Sequence, residues 1–312
     1  EPAFTQNPFI AYPINEQSQR GIYATVGLQL AEPLRLTLGG RQGKYNYHQE
    51  SRNATTGARS VVRYEDDAFI PSAALNYTLS DQWTAYFSFG ETFKPQADLL
   101  APPYPGNGRL DPVTGDNLEL GVKGEIFERV NAAVAIYQLK RNGQGALDTS
   151  SQSASNPADG SRCCYIPVGE IKVQGADLEM SGAVLPDWQV FGGYTYTKTD
   201  FEGNPTGVRT LGRTPEHQVK IWSTWRLPGS WNAMTLNAGV IAQSSTVFDT
   251  VHFGGYTVWN ASVQYRVSDH WSLAVSGDNL TDKVYYLPTG TLYNQNVYGT
   301  PRALSFSVRG NW

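Results

Sequence analysis

The chain has 312 residues, with 24 Lys and Arg against 28 Asp and Glu for a net charge of -4, and only two cysteines. This balance gives no basic footprint for nucleic acid, and one adjacent pair, Cys163 and Cys164, cannot staple distant segments into a disulfide framework. No run approaches the roughly 18 apolar residues of a spanning helix, so any membrane span has to be made of strands.

Taken in chain order, period-two segments predict about thirteen strands. They cover 21–30, 34–43, 68–79, 83–92, 118–127, 130–139, 171–185, 188–199, 218–227, 234–243, 256–267, 271–279 and 303–312. The links between them alternate. Short turns lie at 31–33, 80–82, 128–129, 186–187, 228–232 and 268–270, and all but Glu128-Arg129 carry Pro, Gly, Asp or Ser. Long excursions fill 44–67, 93–117, 140–170, 200–217, 244–255 and 280–302. Sorting loops by end in this way predicts an antiparallel transmembrane β-barrel with short periplasmic turns and long extracellular loops, in an all-β chain. A soluble sandwich has no reason to sort its loops so.

The faces agree with the loops. Val219, Ile221, Trp225 and Leu227 oppose Lys220, Thr224 and Arg226; Trp259, Ala261, Val263 and Tyr265 oppose Asn260, Ser262, Gln264 and Arg266; Leu304, Phe306, Val308 and Trp312 oppose Ser305, Ser307, Arg309 and Asn311. Charges at such regular positions fit a wet lumen better than a dry core. The sequence therefore predicts that Glu119, Lys123, Glu125, Asp177 and Glu179 form salt bridges on the lumen wall rather than a catalytic or cation site. Trp83, Trp188 and Trp271, each opening a strand after a short turn, are expected in the periplasmic aromatic girdle. Bacterial barrels use even strand numbers, so an odd count that starts on a descending strand predicts an incomplete barrel.

Several blocks resemble the C-terminal part of ferric-siderophore receptors of the TonB-dependent outer-membrane transporter family. They are Gly21-Ile22-Tyr23-Ala24 with Leu38-Gly39-Gly40-Arg41, Phe89-Gly90-Glu91-Thr92-Phe93-Lys94-Pro95-Gln96, and Leu110-Asp111-Pro112 with Leu118-Glu119-Leu120-Gly121-Val122-Lys123. In the same order follow Val173-Gln174-Gly175-Ala176-Asp177-Leu178-Glu179, Gly193-Tyr194-Thr195-Tyr196, Asp278-Asn279-Leu280-Thr281-Asp282-Lys283-Val284-Tyr285-Tyr286, and Tyr298-Gly299-Thr300-Pro301-Arg302. The resemblance implies a barrel of about 22 strands with a plugged lumen. Residues 1–312 would supply the C-terminal part of it, the N-terminal plug and early strands lying elsewhere. It further implies a bacterial outer-membrane receptor that takes up a ferric siderophore, energised by TonB through the N-terminal region. Uptake of haem, cobalamin or an oligosaccharide, and a passive porin-like barrel, stay open as alternatives. No enzyme is expected and no cofactor: ferric iron enters only inside its siderophore.

Aromatic residues near the predicted extracellular ends, Tyr45, Tyr47, Phe93, Tyr104, Tyr165, Tyr285, Tyr286, Tyr293 and Tyr298, fit either an outer interfacial girdle or stacking on an organic chelate. Of these, Phe93, Tyr104, Tyr165, Tyr286 and Tyr293 are taken as ligand candidates. Lys94, Arg109, Arg162 and Arg209 fit either ordinary solvated loop charge, the default reading, or attraction of an anionic chelate. His48, His217, His252 and His270 lack metal-ligand spacing. The pairs Gly39-Gly40, Gly192-Gly193 and Gly254-Gly255 lie in or beside strands, where bends or packing explain them. Asn53, Asn260 and Asn279 fit a glycosylation pattern by coincidence only.

Overall fold

A computed structural model describes residues 14–52, 57, 59–97, 99, 109–147, 165–202, 214–248, 251–291 and 294–312. Thirteen wall strands follow one another as β1 Ile14–Ala31, β2 Leu34–Arg52, β3 Arg59–Thr78, β4 Trp83–Lys94, β5 Val113–Ile126, β6 Val130–Asn142 and β7 Ile171–Leu185. They continue as β8 Trp188–Phe201, β9 His217–Arg226, β10 Met234–Gln243, β11 Tyr256–Arg266, β12 Trp271–Asp278 and β13 Ala303–Gly310. Every strand pairs antiparallel with its sequence neighbours in one 13-stranded sheet. Each predicted strand thus has its counterpart in the wall. Among the described residues β1 and β13 are paired on one side only, and β1 is exposed along its whole length.

Register assigns the two faces. Leu236, Val263, Val275 and Phe306 form one row across β10 to β13. Val263, Val275 and Phe306 stand 40%, 51% and 67% exposed, a large uncovered apolar surface that suits lipid. The neighbouring row is polar: Thr224, Asn237, Ser262, Ser276 and Ser305, in which Thr224 Oγ1 donates to Asn237 Oδ1 at 2.9 Å and Asn237 Nδ2 to Ser262 Oγ at 3.0 Å. Trp83, Trp188 and Trp271 share the apolar side at the short-turn end. Trp271 lies 6.4 Å from Trp312 between ring centroids and Trp188 lies 5.9 Å from Trp225, with Trp188 Nε1 donating to Ser223 Oγ. An indole with its N–H satisfied is well suited to the bilayer interface.

Three expectations need correction. The excursion placed at 44–67 is mostly strand, since β2 and β3 pair as far as Arg52 opposite Arg59. An 18-residue strand such as β1 rises roughly 60 Å, far beyond an apolar band about 25 Å tall. Above the lipid both faces meet water, so Lys44, Asn46, His48 and Glu50 interrupt the alternation while the backbone ladder continues. The excursion placed at 93–117 is likewise shortened, because β4 and β5 pair from Lys94 opposite Val113.

The lumen carboxylates are the third correction. Among the described residues, Glu119, Lys123, Glu125, Asp177 and Glu179 make no ion pair with one another. Glu119 instead accepts a hydrogen bond from Tyr86 Oη at 2.6 Å, and Lys123 Nζ sits 5.5 Å from the centre of the Tyr86 ring. The reason is spacing: Lys123 and Glu179 occupy the same lumen row but are separated by Ala133 on β6. Tyr86→Phe is expected to cost only about 0.5–1.5 kcal/mol in a urea titration of the detergent-folded protein, because water replaces the lost donor.

Glycine is needed where strands crowd. Gly182 has φ +151, and a Cβ there would stand 2.1 Å from the Arg129 carbonyl oxygen of the neighbouring turn. Gly182→Ala is expected to cost roughly 1–3 kcal/mol, read as a lowered urea midpoint. Gly40 and Gly192 have no such φ; a Cβ at Gly40 would meet the Phe69 ring at 2.6 Å and one at Gly192 the Lys220 carbonyl at 2.6 Å, so these glycines serve packing.

Candidate functional site

The long connections all emerge at one end, and inside them short hairpins form that period-two reading did not find. Gly145–Leu147 pairs with Tyr165–Pro167, Thr246–Phe248 with Val251–Phe253, and Tyr286–Thr291 with Asn294–Tyr298. Strands of three to six residues carry too few alternations to stand out from loop sequence.

Phe93 and Lys94 end β4 opposite Thr114 and Val113. Alternation puts Phe93 on the apolar side with Phe87 and Phe89, the outer-girdle position, whereas Lys94 shares the lumen side with Tyr86 and Ser88. Arg109 places its guanidinium 6.0 Å from the ring centre of Tyr47, and that ring is only 3% exposed. Tyr165 is half-buried opposite Leu147. Tyr104, Tyr293 and Arg209 lie outside the described residues, as do Arg162, Cys163, Cys164 and Asn53.

Sequence reading passed over a residue that joins this group. Gln96 is 3% exposed; its Nε2 donates to the carbonyls of Asp111 and Gly143, both at 2.7 Å, and its Oε1 accepts from Gly145 N at 2.7 Å. One amide thereby connects the end of β4, the approach to β5 and the excursion after β6. Its signal was present in the Phe93-Lys94-Pro95-Gln96 block.

A second group surrounds the β12 to β13 connection. Tyr286 Oη donates to Tyr298 Oη at 3.2 Å, with ring centroids 4.7 Å apart, and this hydrogen bond holds the Tyr286 phenol above its ordinary pKa. Tyr285 packs on Tyr256 at 4.3 Å and against Gly299, where a Cβ would stand 2.0 Å from the ring. Tyr256, Val258 and Asn260 face the lumen and, with Tyr285, Leu287 and Thr300, line a cavity of about 360 Å³. Asn279 anchors the turn. It is 1% exposed at φ +48, donates through Nδ2 to the carbonyls of Lys283 at 2.8 Å and Thr300 at 3.0 Å, and accepts from Lys283 N at 2.8 Å. Its own N–H donates to Asn260 Oδ1 at 2.9 Å, so both asparagines have structural partners.

Deeper in the lumen a concavity of about 920 Å³ is lined by Lys123, Glu179, Lys220, Phe191 and Trp222, among others. Phe191 and Trp222 break the polar pattern of the inner wall; the Trp222 ring fills the space where a Cβ on Gly239 would stand. Among the described residues no group of three His, Cys, Asp or Glu side chains could hold a metal ion. The outer end thus offers aromatic faces and scattered cations, an arrangement that can stack on and attract a ligand.

Comparison with known proteins gives the same architecture. The family described as TonB dependent receptor-like, beta-barrel, matches residues 2–280. A ferric-pyoverdine receptor of a Pseudomonas strain is 33% identical over 94% of this chain and 36% of its own length, and one from Pseudomonas putida is 30% identical over 97% of this chain and 36% of its own. The crystal structure of the Pseudomonas aeruginosa ferripyoverdine receptor bound to ferripyoverdine superposes with a TM-score of 0.79 at 27% identity, over 95% of this chain and 39% of that one. The chain spans about a third of the length of the curated relatives it matches. It belongs to the TonB-dependent receptor-like β-barrel family, and its place is the bacterial outer membrane.

Proposed function

We propose that the chain is the C-terminal wall of a receptor that captures a ferric siderophore with its outer loops. In the complete protein a plug and the remaining strands close the barrel, and TonB, acting through the N-terminal region, energises inward passage. The observation that carries this reading is the match of almost the whole chain to receptors named for ferric pyoverdine, together with a pyoverdine-bound barrel of the same shape. The loop chemistry agrees: the Tyr286–Tyr298 and Tyr256–Tyr285 pairs offer aromatic faces, and Lys94 and Arg109 offer positive charge. Iron arrives already wrapped in the ligand's own oxygens, so the receptor needs no metal ligands and performs no covalent chemistry.

Growth of a receptor-deleted strain on single purified siderophores, with the full gene restored, tests this. Rescue on a ferric pyoverdine or a related siderophore is expected. Rescue on haem, cobalamin or glycans alone would replace the ligand class, and an upstream coding region without a plug of globular-domain size would favour passive diffusion.

A further inference from the structure

The outer excursions after β4 and after β6 are separated by two wall strands, yet their main chains meet on the side chain of Gln96. All three of its strong hydrogen bonds go to backbone groups, two of them, Gly143 O and Gly145 N, on the other excursion. Packing tightens the same junction: a Cβ added to Gly145 would stand 2.5 Å from Leu99 Cδ1, 2.6 Å from Leu110 Cδ1 and 3.1 Å from Gln96 Oε1. Leu110 is itself 4% exposed, and Arg109 beside it reaches the buried ring of Tyr47 on β2.

We infer that Gln96 is a positioning residue for ligand capture: it ties the part of the excursion after β4 at 95–97, 99 and 109–112 to the foot of the excursion after β6 at 143–147 and, through Arg109, to Tyr47 on β2, so that a ligand touching any of these segments feels all three. The inference rests on the receptor reading for its ligand and on geometry alone for the coupling. A buried amide whose donors and acceptor are all satisfied by main chain has no spare group for a ligand; its role is to hold the loops that do. Removing it leaves two carbonyls and one N–H without their partner, which favours local opening of both excursions rather than unfolding of the wall.

The test is made in the full-length receptor with Gln96→Met, which keeps side-chain bulk and removes the hydrogen bonds. Hydrogen exchange at Gly145 and over 109–112 and 143–147 is expected to accelerate by about tenfold or more, while exchange in the wall rows of β4, β5 and β6 stays unchanged. Gly145→Ala approaches the junction from the other excursion. It is expected to accelerate exchange over 96–99 and 109–112, which stands even where Gln96→Met folds poorly.

With ferripyoverdine as probe, both variants are expected to release it at least several-fold faster than wild type. Unchanged exchange on the far excursion in both variants overturns the coupling. Accelerated exchange with wild-type release overturns the role in ligand capture. A wild-type receptor that binds no ferric siderophore at all sinks the receptor reading, while the exchange result still decides the coupling.

Discussion

Replacing Val263 with Arg is expected to destabilise the barrel by about 2–4 kcal/mol, and replacing its neighbour Gln264 with Arg by less than about 1 kcal/mol. Val263 stands between Leu236 and Val275 on the apolar side, 40% exposed to whatever solvent lies there. Val275 is four residues beyond Trp271, which puts this row roughly 10 Å above the tryptophan girdle and near the middle of the apolar band. An arginine held there has to be stripped of water or drag water with it. Gln264, between Thr235 and Ala274, faces the lumen, where a guanidinium keeps its hydration. Urea unfolding of both variants in detergent or bilayer reads the difference; equal tolerance at the two positions would mean that both faces are wet, and a larger cost at Gln264 that the faces are reversed.

Asn279→Leu is expected to cost on the order of 3–5 kcal/mol. The asparagine amide joins three backbone groups, on Lys283 and Thr300, in a site with 1% exposure, and a leucine would leave all three unpartnered. Its φ of +48 adds strain for leucine that asparagine bears more easily. Asn279→Gly separates the two effects, because it removes the amide yet accepts the backbone; it should recover about 1 kcal/mol of the loss. The unfolding midpoint measures both variants. Because Leu280 N donates to Trp259 O and Asp282 holds Arg302 N, the whole β12 to β13 connection should become protease-sensitive with the leucine variant.

What could be read in the sequence follows from where one side of the wall is dry. Between the tryptophan girdle and the outer rim, lipid demands an apolar residue at every second position, and rows such as Val263 and Val275 met that demand visibly. Above the rim the demand ends, and the upper halves of β2 and β3 lost their pattern while keeping their hydrogen bonds. The candidate site was legible only as positions along the chain: Phe93 and Lys94 end β4, Arg109 lies on the excursion after it and Tyr165 on the excursion after β6, and Phe93 turns its ring to the outer side. Gln96 and Asn279 were seen only as parts of recognisable blocks, because their partners at Gly145 and Thr300 are 49 and 21 residues away and no local pattern links them. The lumen charges showed which face they occupy but not their pairing, since neighbouring charges were offset by a full strand.

Site-directed spin labelling along Tyr256–Arg266, one cysteine at a time with Cys163 and Cys164 replaced by serine in the full-length receptor, tests the account at its root. Labels at odd positions from 257 to 265 should collide with lipid-soluble oxygen and labels at even positions with a water-soluble nickel complex, alternating without a break. Labels at the odd positions that meet neither reagent, while labels at the even positions stay wet, would mean a sealed interior between packed sheets, and the membrane barrel would be wrong.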